Sequence, residues 1–162
     1  MIDLEKAIVS LAQNEVEFVI VGGVAINLHA SAYITQDLDF CYSRAKENVG
    51  RIVRALVPFR PRPRNFAMEL PFAFDETTLR NGTNFTFETT IGHIDLLGEV
   101  KGIGDYADAV KRSVSYEIYG CKIRALDLDA LIASKLAANR PKDQLVLPEL
   151  FALREALDPN EE

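Results

Sequence analysis

Two acids separated by one residue, Asp37 and Asp39, follow a glycine pair, Gly22-Gly23, after thirteen intervening residues. In an extended segment successive side chains alternate between faces, so Asp37 and Asp39 share one face while Leu38 and Phe40 share the other. At roughly 3.3 Å per residue their Cα atoms lie about 6.5 Å apart, close enough for both carboxylates to lean onto one point. Such like charges repel unless one carries a proton or a cation neutralises them. A pair of divalent cations about 3.5–4 Å apart would remove the repulsion and serve phosphoryl chemistry. A third acid, Asp95, stands in the apolar run His93-Ile94-Asp95-Leu96-Leu97. A solitary buried charge is costly there, and a cation site shared with Asp37 and Asp39 would resolve the cost.

The elements that must position these acids can be read from the pattern. Phe18 to Val21 is an unbroken apolar run of strand length, as for a strand buried on both faces. Gly22-Gly23 ends it, and Val24 to Ala30 carries on as a helix. The glycines permit a tight turn, and the unpaired amides of a helix start make a phosphate site; a plain strand-to-helix turn would use the same residues. Neither G-x-G-x-x-G nor G-K-[ST] is met, which sets aside a dinucleotide fingerprint and a P-loop. Before this unit, Asp3 is placed to cap a helix carrying Leu4, Ile8 and Leu11, ended by Gln13-Asn14. After it, Lys46 to Leu56 fits an amphipathic helix. Asn81-Gly82 reads as a turn before a strand, Asn84 to Thr89, with Phe85 and Phe87 on one face. Glu69 to Leu79 fits no pattern. Asp105 to Val110 reads as a short helix, and Val114 to Tyr119 with Lys122 to Ala125 as a hairpin about Gly120-Cys121. Asp127 caps a helix reaching Ala138, and Pro148 is expected to break or restart the last helix. His29 reads as packing or capping. His93 is either a hydrogen-bonded structural histidine or a member of the acidic face.

Bulk properties narrow the class. The 162 residues are 48% hydrophobic and 26% charged, which suits one soluble domain over 1–162, with a core over about 15–125 and a helical part over about 126–158. The first residues mix Asp3, Glu5 and Lys6 with apolar ones, unlike a signal peptide, and no apolar stretch approaches the roughly 18 residues that span a bilayer. Cys41 and Cys121 match no metal spacing or disulfide framework. A cytoplasmic protein with no membrane partner is the expectation. The net charge is −6, yet Arg44 to Arg64 holds seven basic residues and one acid. Within it, Pro58, Pro61 and Pro63 break regular structure and predict a mobile loop of polyproline character. Its arginines Arg60, Arg62 and Arg64 either keep a solvated loop soluble or clamp the phosphates of a substrate or nucleic acid, as possible acceptor-binding residues.

Taken together, Gly22-Gly23, Asp37-x-Asp39 and the later hydrophobic-Asp95-hydrophobic strand resemble the polymerase-β-type nucleotidyltransferase superfamily. The closer likeness is to its small AbiEii-like branch, associated with toxin–antitoxin systems. The run LIASKLAANRPKDQLVLPEL resembles that branch too, where a lysine-bearing helix leads to an Arg-x-Lys-Asp segment. The likeness covers roughly residues 17–150. The chain departs from it where many members have serine after the first glycine, and at Tyr33, where related sequences often place an arginine before Thr35. The PFRPRPR loop is not part of the family pattern.

The resemblance implies an α/β (α+β) fold: a mixed nucleotidyltransferase sheet flanked by helices, with a helical C-terminal part. It implies transfer of a nucleoside monophosphate from a nucleoside triphosphate (NTP) to an acceptor hydroxyl, with release of pyrophosphate. Asp37, Asp39 and Asp95 would be catalytic and would hold two Mg²⁺, or Mn²⁺. Gly22, Gly23, Thr35, Lys135, Arg140 and Lys142 would bind the nucleotide, although Asp143 can instead pair with Arg140 and Lys142. The acceptor would be RNA or a protein, and the partner a cognate antitoxin or toxin. Two other readings stand beside this one: a small-molecule (antibiotic) nucleotidyltransferase, favoured by an acidic acceptor cleft, and a non-catalytic nucleotide-binding or antitoxin-like partner.

Overall fold

The computed structural model describes residues 1–29 and 37–157. Helix α1 (Leu4–Gln13) begins where the Asp3 side chain accepts from the Lys6 backbone N–H, and its Ala7, Ile8 and Leu11 are buried. Strand β1 (Phe18–Val21) is buried at all four residues, as its unbroken apolar run requires. Helix α2 (Gly22–Leu28) starts on the glycine pair itself, two residues earlier than expected. Strand β2 (Asp37–Tyr42) returns antiparallel to β1, with Val21 opposite Asp39. Helix α3 (Lys46–Leu56) follows, and its buried Asn48 ties the chain ends of these strands. The Asn48 amide oxygen accepts from Glu17 N at 2.7 Å, while its nitrogen donates to the carbonyls of Glu17 and Ser43.

The proline-rich stretch is not the open loop its composition predicts. Val57–Phe59 makes one 3-10 turn, and Arg62–Pro63 forms strand β3, paired antiparallel with β4 (Asn84–Thr89). β3 is an edge strand, where a proline's missing N–H is tolerated. Left-handed Arg60 and Asn65 bracket it. Residues 66–74 then fold back, placing Phe72 and Phe74 against Phe87 before the short helix α4 (Glu76–Arg80). β4 leads into β5 (Gly92–Leu97), antiparallel to β4 and parallel to β2.

Asp105 caps helix α5 (Tyr106–Lys111) rather than belonging to it. In the hairpin of β6 (Ser113–Ile118) and β7 (Cys121–Leu126) the left-handed pair is Tyr119-Gly120, so Cys121 starts the second strand instead of turning. Cys41 and Cys121 are both free thiols. His29 packs as expected, its two ring nitrogens facing the Leu126 carbonyl at 2.9 Å and the Tyr116 hydroxyl at 3.1 Å. Helix α6 (Leu128–Ala138) has Asp127 as its cap and ends on left-handed Asn139. Helix α7 (Pro141–Leu157) passes through Pro148 without ending, contrary to expectation. Val146, Leu147 and Leu150 are buried on either side of the proline, and that packing outweighs the lost backbone bond.

Among the described residues the sheet is mixed and seven-stranded, in the order β3-β4-β5-β2-β1-β7-β6. This is the α/β fold, with helices against the sheet, that the sequence predicts. Leu38, Phe40, Ile94 and Leu96 are fully buried on its core side. No helix among the described residues is long and apolar enough to cross a membrane.

Candidate metal centre and flanking cavities

Sheet register assembles the site. Because β2 and β5 run parallel with Asp37 opposite His93 and Asp39 opposite Asp95, the residues that alternate away from the core fall on one face. β4 extends the ladder, pairing Glu88 with His93 and Thr86 with Asp95. β3 then sets Arg62 opposite Glu88, and the Arg64 N–H donates to the Thr86 carbonyl at 2.9 Å. Two rows of side chains thus cross the sheet: Arg62, Glu88, His93 and Asp37 in one, Arg64, Thr86, Asp95 and Asp39 in the other.

One carboxylate oxygen from each of Asp37, Asp39 and Asp95 lies within 4.8 Å of the others. The Arg64 Nη2 donates to Asp95 Oδ1 at 2.7 Å, and its Nη1 stands 4.0 Å from Asp37 Oδ2. His93 Nδ1 is 3.4 Å from Asp37 Oδ1. Burial, then the neighbouring charge of Asp95 and a hydrogen bond that keeps the proton on Asp39, push the Asp39 carboxyl up to about 7. Asp37 adds to the rise and Lys135 opposes it. Burial also raises Asp95, although the Arg64 guanidinium and the hydrogen bond from Asp39 pull the other way.

The donor set suits a hard divalent cation, which takes oxygen ligands. Among the described residues Asp39 Oδ1 is buried with no hydrogen-bond partner, an arrangement that a cation would complete. Gly22 makes room for this carboxylate. With φ +68°, it sits where a Cβ would fall 2.3 Å from Asp39 Oδ2. The first glycine is therefore required by the acid as much as by any bound phosphate.

Cavities flank the triad. One of about 390 Å³ is lined by Gly22, Asp39, Lys101, Ser134, Lys135 and Arg140. Another of about 430 Å³ is lined by Asp37, Arg60, Arg62, Met68, Glu88 and His93. Lys135 and Arg140 reach the first cavity but share the buried Asp143. Lys135 Nζ is 3.1 Å from Asp143 Oδ1, and Arg140 Nε is 2.7 Å from Oδ2. Burial alone would raise the Asp143 carboxyl, but these cations and the Arg140 backbone N–H hold it down at about 2.

The sequence-predicted residues divide accordingly. Asp37, Asp39 and Asp95 converge; Gly22, Lys135 and Arg140 line the cavity on the Asp39 side, and Arg60 and Arg62 the cavity on the Asp37 side. Gly23 is buried behind Gly22 in α2. Lys142 is exposed on α7 and does not line the Asp39 cavity. Thr35 and Tyr33 lie outside the described residues. Arg64 departs most from its expected place beside Arg60 and Arg62, since its guanidinium binds the triad. The alternation Arg62-x-Arg64, with its strand period, was the available signal. Asp143 pairs with Lys135 and Arg140, where the sequence offered Arg140 and Lys142.

No protein-family model and no curated protein sequence matches the chain. Among solved structures it is similar to a protein of Thermotoga maritima described as a "putative nucleotidyltransferase", at 18% identity and a TM-score of 0.58, over 94% of this chain and 96% of that one. At that identity the likeness is one of fold: the chain shares the mixed α/β fold of that protein.

Proposed function

We propose that this chain is a divalent-cation-dependent nucleotidyltransferase, moving a nucleoside monophosphate from an NTP to an acceptor hydroxyl. The observation that carries the reading is the three-carboxylate cluster, whose buried Asp39 oxygen has no partner among the described residues, set between two cavities of unlike lining. Asp37, Asp39 and Asp95 would hold the cation, Mg²⁺ or Mn²⁺. A cation bound there neutralises phosphate charge and lowers the pKa of a coordinated hydroxyl.

The chain's own residues divide the substrates. Lys101, Lys135 and Arg140 line the Asp39 side and give a triphosphate its cationic wall, while Gly22 keeps the backbone low beneath it. Asp143 holds Lys135 and Arg140 in place beside the cavity that they line. Thr35 and Lys142 complete the nucleotide set on the resemblance alone. On the Asp37 side, Arg60 and Arg62 suit an anionic acceptor, which favours RNA or an acidic protein segment over a cationic small molecule. A toxin–antitoxin setting, with a cognate partner, is inferred from the resemblance.

The test is label transfer. Purified protein with Mg²⁺, each labelled NTP and total cellular RNA should transfer label to RNA or to protein. Asp39→Asn should lower the rate by about a thousandfold or more, the scale of losing an electrostatic element of phosphoryl transfer. Absence of Mg²⁺-dependent transfer to any acceptor would refute the reading, and transfer indifferent to Asp39→Asn would refute the site.

A further inference from the structure

We infer that Arg64 is a built-in counter-cation of the carboxylate triad, which competes with a divalent cation for Asp95. The inference rests on the proposed cation site and adds its regulation. Arg64 is placed by backbone, since its N–H is fixed on the Thr86 carbonyl in the row that continues to Asp95 and Asp39. From there the side chain reaches inward to Asp95 Oδ1 at 2.7 Å and approaches Asp37 Oδ2 at 4.0 Å, remaining only 24% exposed.

The guanidinium is held by charge more than by a full set of hydrogen bonds. Among the described residues its Nε is buried without a partner, and the guanidinium's backbone contact is a long 3.5 Å approach to the Phe87 carbonyl. An arginine stabilised by ordinary packing would satisfy that donor. Here the negative cluster is the attraction. A guanidinium at 2.7 Å takes up one lone pair of Asp95 Oδ1, and its positive charge repels a cation brought to the triad. Arg64 on Asp95 and a cation at the triad therefore oppose each other. In the cation-free protein Arg64 lets three acids converge without mutual expulsion; on loading it must leave.

The consequence is measurable without turnover. Mn²⁺ affinity, read by calorimetry and by the loss of the free-ion resonance signal, should rise at least about tenfold in Arg64→Gln, the scale of removing one charge-assisted hydrogen bond as competitor. The cation-free variant should also melt lower than wild type and regain that difference in Mn²⁺. In an Asp95→Ala background the gain from Arg64→Gln should vanish, because the contested oxygen is gone. A gain that persists in that background is general electrostatics and overturns the inference, as does an unchanged or weaker affinity. Binding by wild type with no effect of Arg64→Gln defeats the inference alone; no binding by any variant defeats the cation site and the inference together. Should Arg64→Gln not fold, the wild-type Arg64 Nε–H resonance must move during Mg²⁺ titration, and a resonance unmoved at saturation overturns the inference.

Discussion

Asp39 and Asp143 are two enclosed aspartates near one lysine, and their surroundings drive them in opposite directions. Asp39 faces Asp37 and Asp95 and is pushed up to about 7. Asp143, fully buried, accepts from Lys135, the Arg140 side chain and the Arg140 backbone, and is held at about 2. Burial raises both; only the partners differ. The triad has three acids and Arg64 as its close cation, whereas the Asp143 cluster has two cations for one acid. An excess of like charge that its one close cation only partly compensates marks a place built to receive something, while a fully compensated cluster marks an anchor.

The largest break in this comparison should come from Asp143→Asn. Asparagine keeps the shape but strands Lys135, whose side chain is 13% exposed, beside a neutral group. Removing one partner of a buried pair costs about 3–5 kcal/mol, so urea unfolding at pH 7 should show a loss of at least about 3 kcal/mol. A loss below about 1 kcal/mol would mean that Lys135 finds solvent, and Asp143 would no longer count as an anchor.

Next in size is the pH response of the cation-free protein. Asp39 has a folded value of about 7 against an ordinary 3.8, so between those values the folded state binds more protons than the unfolded. Its contribution is full below pH 3.8 and is lost as pH rises toward 7, a fall on the order of 3 kcal/mol given the coupling to Asp95. Asp143 has the opposite sign, because its folded value is depressed. Its contribution is full above pH 3.8 and is lost as pH falls toward 2, by about 2 kcal/mol. Denaturant melts from pH 2 to 9 should show both limbs. Asp39→Asn should flatten the upper limb and leave the cation-free protein more stable than wild type at pH 8. If Asp39→Asn destabilises at pH 8, the triad is a structural network and not a site held under strain.

The fold was legible wherever local chemistry and packing agreed. The Asp3 and Asp127 caps, the four buried residues of β1 and the alternation of β2 all follow from residue type alone. The acids were legible too, because alternation places Asp37 and Asp39 on one face. What the chain order hides is register. Nothing local says that Thr86 stands opposite Asp95, and so nothing local sends Arg64 into the triad instead of beside Arg60. The proline count likewise predicted an open loop, because an edge strand that tolerates Pro63 exists only once β4 is beside it. Pro148 misled for the same reason, since the apolar contacts that carry α7 past it come from elsewhere in the fold.

The smallest effect separates two arginines of that same stretch, and it extends the contrast between committed and available charge. Arg62 donates to the carbonyls of Ala67 and Leu70 at 3.1 and 2.9 Å, and its guanidinium lies over the Phe66 ring. The Arg60 guanidinium makes no hydrogen bond or ion pair with the described residues, though both side chains line the Asp37 cavity. If that cavity takes a phosphate-bearing acceptor, Arg60→Ala should weaken oligonucleotide binding severalfold and reduce the salt slope by roughly one phosphate contact, with the melting temperature unchanged. Arg62→Ala should do the reverse, lowering the melting temperature by the worth of about two carbonyl hydrogen bonds while changing the salt slope less. Equal salt slopes for wild type and Arg60→Ala would remove Arg60 from the acceptor side. The contrast between neighbours that bind structure and neighbours that await a ligand would then stop at the triad.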